Sequence, residues 1–251
     1  FAPRRLRGRL RPVTTEDGLV SELWRYPVKS MLGEALASVA VDARGVVGDR
    51  RFAVCDAEGK LGSGKNTRRM RRMDGLFAFT ASRGDDSAPR VTTPDGRVLA
   101  ALDPVLDEEL ARVLGIAVRI QAEDRISHFD DSPIHLVTRA SLQWLETQLP
   151  GSKADARRFR ANLVVDAAGG PRAEETWRGR TIAIGTEVVL RVTSLTERCV
   201  MTTMAQADLP DDPAILGTVA RESDRCFGVY AEVLVPGRIA RGDRVRVERS
   251  S

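Results

Sequence analysis

Cys199 is the residue of this sequence whose type and position are best suited to chemistry. It lies in the segment TERCVMTT, where a predicted strand over residues 187–194 gives way to a loop. The neighbouring Arg198 favours the thiolate, the form of cysteine that attacks electrophiles and binds soft metals. The alternative interpretation is a small buried hydrophobic residue, as most free cysteines are. A disulfide between Cys199 and Cys226 also stays open.

Three short segments near the ends of predicted strands carry side chains suited to anions. YPVKS places Lys29 and Ser30 directly after one strand, and GDRRF places Arg50 at the entrance to the next. RFRAN places Arg160 and Asn162 before another strand. Arginine and lysine supply charge, serine supplies a hydroxyl, and an asparagine amide can pair with the edge of a heterocycle. Each segment alone is typical of a solvated turn, but together with a thiol they indicate a site for a phosphorylated heterocycle beside a soft metal.

The elements that must position these residues are predicted to be mainly β with a few helices, an α+β chain. With 251 residues, 42% hydrophobic and 29% charged, the chain is long enough for one large or two modest globular domains. No window approaches the roughly 18 apolar residues of a membrane helix, so no membrane partner is expected. Helices are predicted over 104–114, 139–149 and 212–221. Short strands, which we expect to curl into antiparallel barrels, are predicted over 19–24, 36–41, 51–56, 76–82, 97–99, 118–121, 134–137, 163–166, 181–184, 187–194, 228–235 and 244–247.

Charge and cysteine content exclude several classes of protein. The net charge is only +4 and aromatic residues make up 5%, so the short arginine clusters at 4–11 and 68–72 lack the stacking residues of a nucleic-acid surface. We therefore expect no nucleic-acid partner, and we interpret the 68–72 run as a solvated or partner-docking patch. Three cysteines and two histidines are too few for a disulfide framework or a histidine-rich metal site. This usage indicates a reducing, cytoplasmic location.

The motifs occur in an order that resembles the MOSC family. They are YPVKS, GDRRF, the Asp131-Ser132-Pro133 step, FRAN, RCVMTT and CFGVYAEVLVPGRIARGDRV. This family is named for the C-terminal domain of molybdenum cofactor sulfurase, and it includes the mitochondrial amidoxime reducing components and their bacterial relatives. The resemblance covers about residues 18–248. It implies a basic flexible tail over 1–17, a MOSC N-terminal β-barrel domain over 18–122 and a MOSC β-barrel domain over 123–251.

The resemblance also implies a molybdenum cofactor, molybdopterin with molybdenum, and the residues that hold it. Cys199 matches the catalytic cysteine that ligates the metal, where a dithiolene would supply two further sulfurs. Lys29, Ser30 and Arg50 match residues at the phosphate end of the cofactor. The remaining implied cofactor-binding residues, on the pterin side and around the metal, are Arg160, Asn162, Asp131, Ser132, Glu197, Arg198 and Tyr230.

The implied function is an oxidoreductase that reduces N-hydroxylated or N-oxide small molecules with electrons from a separate redox protein. The alternative is a carrier of persulfide sulfur or of the cofactor that uses Cys199. Three departures from the family pattern bear on the site: Ala161 replaces a proline, Asp131 stands where a small hydroxyl residue is frequent, and the loop over 204–213 differs from that of the eukaryotic relatives. Because that loop is expected to border the substrate, the resemblance does not imply a particular substrate.

Overall fold

The computed structural model describes residues 16–83 and 88–248. Most of the predicted basic tail, and with it the arginine cluster at 4–11, lies outside the described residues. The last two residues of that predicted tail, Glu16 and Asp17, begin the first strand.

Within the described residues the chain is mainly β with four α-helices, which confirms the predicted fold class. The helices are α1 (Pro104–Leu114), α2 (Arg139–Gln148), α3 (Ala156–Phe159) and α4 (Pro213–Ser223). The strands are β1 (Glu16–Arg25), β2 (Glu34–Leu36), β3 (Ser38–Asp42), β4 (Gly45–Val46), β5 (Phe52–Asp56), β6 (Leu61–Ser63), β7 (Met70–Arg72), β8 (Thr80–Arg83), β9 (Pro89–Thr92), β10 (Val98–Ala100), β11 (Val118–Ala122), β12 (Ile134–Thr138), β13 (Leu163–Ala167), β14 (Thr181–Ile184), β15 (Val188–Glu197), β16 (Cys226–Val235), β17 (Gly237–Ala240) and β18 (Arg244–Val247).

Seven strands close into a barrel. Their order is β13, β12, β16, β15, β14, β18 and β1, and β1 pairs back onto β13. Every pair is antiparallel except β12 with β13, in agreement with the predicted mainly antiparallel barrel. Alternating side chains of these strands, such as Leu190 and Val192 of β15, fill the interior and are fully buried. Closure removes the free sheet edges that would otherwise invite pairing with other chains.

The N-terminal half surrounds a second apolar core with small sheets. β5, β6, β7 and β11 form one sheet, and β8, β9 and β10 form another. Two elements cross between the halves: β1 belongs to the barrel, and β3 pairs with β17 near the C-terminal end of the chain. Strands from the N-terminal half therefore pair with strands from the C-terminal half. The domain boundary between residues 122 and 123 stays a prediction.

Local sequence signals explain where the helices begin and end. The Asp103 carboxylate caps α1 by accepting a hydrogen bond from the backbone N of Val105 at 2.9 Å, and Gly115 ends the helix in the left-handed conformation, with φ 69°. Thr138 caps α2: its side-chain hydroxyl accepts a hydrogen bond from the backbone N of Ser141 at 3.2 Å. These caps satisfy backbone groups that the helix itself leaves unpaired.

The prediction of one strand over 76–82 is wrong. Residues Leu76–Ala78 form a 3₁₀ turn, and only Thr80–Arg83 is a strand. Gly75 precedes the turn with φ 109°, a conformation that reverses the chain. The consecutive residues Leu76 and Phe77 are both buried, which a half-exposed strand with alternating faces would not allow.

Candidate functional site

The predicted site residues meet in a cleft between the barrel and the small sheets of the N-terminal half. The cleft, here called the inner cleft, opens into an outer chamber of about 520 Å³. Binding sites are common where two parts of a protein meet, because each part can contribute rigidly held side chains. The inner cleft is lined by Arg50, Lys65, Phe129, Asp130, Ser132, His135, Phe159, Arg160, Asn162, Glu197, Arg198, Cys199, Met201 and Tyr230.

Cys199 lies at the junction of the inner cleft and the outer chamber. It follows the end of β15 and begins a short 3₁₀ turn over Val200–Thr202. Its backbone carbonyl accepts hydrogen bonds from the backbone N and the hydroxyl of Thr202, at 3.1 and 3.0 Å. The turn is thus held through the main chain of Cys199, and the partly exposed thiol is left available to a ligand or a metal.

Arg50 and Arg160 approach the same aromatic ring. Their guanidinium carbons lie 5.1 and 4.2 Å from the centre of the Tyr26 ring. Arg50 is ion-paired with the fully buried Asp49, and its Nη2 donates to the Arg160 carbonyl at 3.1 Å. Burial, together with the positive charge of Arg50, lowers the pKa of Arg160 to about 10. A bound anion would relieve this concentration of positive charge.

Several residues of the site have a backbone conformation that side chains other than glycine rarely adopt. Ser30, Arg50 and Arg160 have φ values of 64°, 50° and 54°, in the left-handed region. Each such residue costs about 1 kcal/mol or more and persists only where the surroundings enforce it. Backbone strain of this kind is concentrated at functional sites, and here it occurs at three predicted site residues.

Three cations at the site carry donors for which the described part of the chain supplies no partner. Arg160 Nη2 and Arg198 Nε are buried atoms without a hydrogen-bond partner among the described residues. The Arg198 Nη2 donates to the Phe159 carbonyl at 2.7 Å, so its position is fixed. Lys65 lines both the inner cleft and the outer chamber, and within residues 16–83 and 88–248 it forms no ion pair. Buried unsatisfied donors are costly, so these atoms indicate a missing acceptor.

Lys29 and Ser30 do not reach the wall of the inner cleft. The buried Lys29 ammonium donates to the Asp130 carboxylate at 2.9 Å, and Asp130 itself lines the cleft. The Ser30 hydroxyl donates to the Gly62 carbonyl at 3.0 Å. Burial raises the pKa of Asp130, but Lys29, Lys65 and Arg50 outweigh it and hold that pKa at about 2. A direct role for Lys29 and Ser30 at a bound phosphate therefore stays a prediction.

The Lys29–Asp130 pair should respond asymmetrically to mutation. Asp130→Asn leaves a buried ammonium without its counter-ion, so we expect it to lower the free energy of unfolding of the cofactor-free protein by about 1–3 kcal/mol at pH 7. Lys29→Met leaves a carboxylate whose side chain is 45% exposed and can be hydrated, so we expect a smaller loss.

The pH dependence of the free energy of unfolding supplies the control for the Lys29–Asp130 pair. Because the pKa of Asp130 is lowered from 3.8 to about 2 in the folded protein, its contribution is complete above pH 4 and is lost as the pH falls through 2. Urea unfolding of the wild type and of Asp130→Asn should therefore converge at the acid end of this range. An equal loss for the two variants at pH 7 would contradict the asymmetry.

Asn162 holds the backbone around the cleft together. Its side-chain Oδ1 accepts from the His135 backbone N at 3.1 Å, and its Nδ2 donates to the Trp24 carbonyl at 3.3 Å. These bonds tie β12 to β1, so the amide has little capacity left for a heterocycle. The His135 ring contacts the Tyr230 ring edge-on, with centroids 5.7 Å apart. Burial raises the pKa of Tyr230 and lowers that of His135 well below 6.5, so both rings are neutral near pH 7.

The remaining predicted residues lie around the opening. Ser132 lines the inner cleft, whereas Asp131 lines only the outer chamber. Glu197 lines both, and its carboxylate lies 3.6 Å from the Arg225 guanidinium in an exposed ion pair.

Sequence reasoning missed several residues of the inner cleft. They are Lys65, Phe129, Asp130, His135, Phe159 and Met201. Lys65 had a usable signal: it is one of four lysines in an arginine-rich chain, and it lies within a glycine-rich GSGK run.

Among the described residues, neither another cysteine nor a cluster of metal-ligating side chains offers a better candidate than Cys199 for a reactive thiol or a metal ligand. Cys55, Cys199 and Cys226 are all free thiols, so the disulfide left open between Cys199 and Cys226 is not formed. Burial raises the pKa of Cys55 to about 11, which makes it a poor nucleophile. In the described part of the chain, no group of three or more His, Cys, Asp and Glu side chains could hold a metal ion. A metal at Cys199 would therefore need most of its ligands from elsewhere.

None of the described helices has the length and apolar character that crossing a membrane requires. The cytoplasmic location stays a prediction.

Comparison with known proteins places the chain in a family. Residues 17–127 match the MOSC N-terminal beta barrel domain, and residues 123–246 match the MOSC domain. Mitochondrial amidoxime-reducing component 1 of Mus musculus is 24% identical over 248 residues, covering 80% of this chain and 70% of the mouse protein. The crystal structure of the YUAD protein from Bacillus subtilis has a similar fold, with a TM-score of 0.56 and 14% identity, covering 95% of this chain and 99% of that one. The two matched regions overlap at residues 123–127 and together span most of the sequence, so the chain belongs to the MOSC family.

Proposed function

We propose that this protein is a molybdenum-cofactor-dependent reductase of N-hydroxylated or N-oxide small molecules. Membership of the MOSC family and the similarity to an amidoxime-reducing protein support a function associated with the molybdenum cofactor. The observation that carries the proposal is the partly exposed Cys199 beside a cleft with buried cationic donors that have no partner in the described part of the chain. A thiolate is a donor that molybdenum accepts, and the cations suit an anionic phosphorylated heterocycle.

The residues present fit such a cofactor. Arg160 Nη2 and Arg198 Nε each lack a partner among the described residues, and both belong to side chains that other contacts hold in place. The Lys65 ammonium lies at the opening of the cleft. Arg50, which lines the cleft, would lie at the phosphate end, and the buried Lys29 would support that end from behind the cleft wall through its ion pair with Asp130. Cys199 would ligate the metal, and the cofactor's dithiolene would supply the further sulfur ligands that the protein does not.

The reaction would break an N–O bond. Converting an N-hydroxylated group to its reduced form consumes two electrons and two protons and releases one water molecule. The bound cofactor would supply the two-electron redox chemistry, with electrons from a separate redox protein. The chain's own residues would bind and orient the substrate and shield it from bulk solvent. Arg198 and Tyr230 line the chamber beside Cys199, and protons from solvent would enter this chamber past Glu197.

The arginine run at 68–72 is the proposed docking patch for that redox protein. It includes β7, in which Met70 is buried, while Arg68, Arg69 and Arg72 are exposed. Arg71 pairs with Asp56 at 3.2 Å and Arg72 pairs with Asp74 at 2.9 Å, so both are partly neutralised. An exposed cationic patch steers an acidic partner mainly by raising its association rate.

Replacing Arg68 and Arg69 by alanine should leave cofactor content unchanged and slow turnover only with a protein electron donor. Turnover with a small reducing dye should stay at the wild-type rate, since the dye needs no docking surface. The matched control removes two other exposed arginines, Arg90 and Arg191, which lie outside the patch. Loss of cofactor from the folded Arg68 and Arg69 variant would show that the run belongs to the cofactor site instead.

The function is tested by assaying purified protein from a host that makes the cofactor, with a reduced viologen dye as electron donor. We expect consumption of an amidoxime, formation of the amidine and no activity in protein from a cofactor-deficient host. Folded protein that carries cyanide-releasable sulfur on Cys199 but no molybdenum would support the alternative, a persulfide carrier. Bound cofactor without any N–O reduction would support a cofactor carrier.

A further inference from the structure

A second depression lies beside Cys199 and is mostly apolar. It has a volume of about 580 Å³, within the range of roughly 300–1,000 Å³ typical of small-molecule sites. This apolar groove lies between the turn that follows Cys199 and the exposed face of α4. Its apolar wall is formed by Val200, Met204, Pro213, Leu216, Gly217 and Ala220.

The apolar groove adjoins the outer chamber that Cys199 lines. Val200, the residue directly after Cys199, lines the groove. Arg225 lines both the groove and the outer chamber, so its side chain forms the ridge between them. The Arg225 carbonyl accepts from the Arg198 backbone N at 2.7 Å, which fixes the base of this ridge. Its exposed guanidinium pairs with Glu197. The Arg225 side chain thus separates the apolar groove from the charged chamber that Cys199 lines.

Gly217 keeps one wall of the groove open. It lies in the middle of α4, where glycine is less favourable than alanine by roughly 0.5–1 kcal/mol. Its φ is not positive, so the helix does not need glycine there. Apart from its chain neighbours and the backbone of α4 itself, no described atom lies within 4 Å of a Cβ added at Gly217, so packing does not require glycine either. The consequence of the missing side chain is free space in the groove.

We propose that the substrate is an N-hydroxylated compound with an apolar substituent. This inference rests on the proposed reductase function. The polar N–O group of the substrate lies at Cys199 and its apolar part lies in the groove, where Gly217 sets the limit on the size of that part. A small molecule suits the groove better than a protein segment because the depression is concave, of limited volume and only one side chain, Arg225, away from the chamber that Cys199 lines.

The test compares two amidoximes that differ only in their apolar part, acetamidoxime and octanamidoxime, on wild type, Gly217→Trp and Gly217→Ala. The indole of Gly217→Trp fills the groove, so we expect kcat/KM for octanamidoxime to fall by at least about tenfold, mainly through KM, since several methylenes lose their apolar contact. For acetamidoxime, whose methyl group does not extend into the groove, kcat/KM should fall by much less, so the preference for octanamidoxime should be lost. Gly217→Ala adds one methyl group, so it should lower kcat/KM for octanamidoxime less than Gly217→Trp does, and it should unfold at a higher temperature.

Direct binding of the two compounds, measured by calorimetry on the same three proteins, separates this inference from the proposed function. If no protein turns over either compound but octanamidoxime binds more tightly than acetamidoxime and loses that advantage in Gly217→Trp, the reductase function fails and the groove assignment stands. Equal effects of Gly217→Trp on both compounds, or no effect on either, in folded protein would overturn the groove assignment.

Discussion

Cys199→Ser should abolish the reduction of N-hydroxylated compounds while much of the cofactor stays bound. Serine keeps the size of the side chain but replaces a soft thiolate by a hard, mostly protonated hydroxyl. Changes to groups that only support a metal ligand typically cost 10–100-fold in affinity or activity, so loss of the ligand itself should cost at least about a hundredfold. The phosphate and pterin contacts are made by other residues and should survive. The measurements are turnover with a reducing dye, the visible spectrum and pterin content.

The matched controls are Cys55→Ser and Cys226→Ser. Neither thiol lines the inner cleft, so we expect both variants to keep the wild-type spectrum and activity. Cys55→Ser should cost some stability, because Cys55 is fully buried in β5 and the new hydroxyl needs a partner. Wild-type turnover by Cys199→Ser would remove the ligand assignment, and the chemistry would have to be sought elsewhere.

Arg160→Gln should reduce cofactor affinity by about ten- to a hundredfold, the value of one charge-assisted hydrogen bond of 1.5–3 kcal/mol. In the cofactor-free protein the change should move the free energy of unfolding by no more than about 1 kcal/mol. It removes the 2.7 Å hydrogen bond from Arg160 Nη1 to the Met31 carbonyl, but it also removes a buried cation that burial and Arg50 disfavour. Cofactor content and urea unfolding together separate a binding role from a structural one.

Arg157→Gln is the control for Arg160→Gln. Arg157 lies in α3, which Arg160 directly follows, but it pairs with Asp155 and Asp208 at the surface. We expect its replacement to leave cofactor content unchanged. Arg160→Lys, which keeps the charge but not the fork, should retain an intermediate amount of cofactor. A large loss of stability in Arg160→Gln, with affinity unchanged, would mean that Arg160 only supports the fold.

Much of the fold could be predicted because its signals are local. α1 follows from the Asp103 cap, the proline at its first position and Gly115 after its end, all within one stretch of sequence. Short strands were harder. β7 lies inside the arginine run and has only three residues, of which Met70 is buried. Three residues are too few to show the alternation of apolar and polar side chains that identifies a strand. The closure of the barrel by β1 depends on residues more than a hundred positions apart, for which the sequence carries no local signal.

The site could be predicted in part for the same reason. Arg50, Arg160 and Arg198 belong to recognisable motifs, and the fold brings them to one cleft. Lys65 and Asp130 come from separate loops, and their proximity depends on tertiary packing. Ser30 illustrates a different limit: its motif gives the position, but its left-handed backbone turns the hydroxyl toward Gly62 rather than the cleft.

The most direct test of the central claim is the molybdenum and pterin content of the wild-type protein, purified from a host that makes the cofactor. Elemental analysis and pterin fluorescence on the same folded sample should give molybdenum and pterin in equal amounts and close to one per chain. X-ray absorption at the molybdenum edge should show one sulfur ligand fewer in Cys199→Ser than in the wild type. Folded wild-type protein that takes up neither molybdenum nor pterin in that host, or a sulfur shell that Cys199→Ser leaves unchanged, would contradict the account.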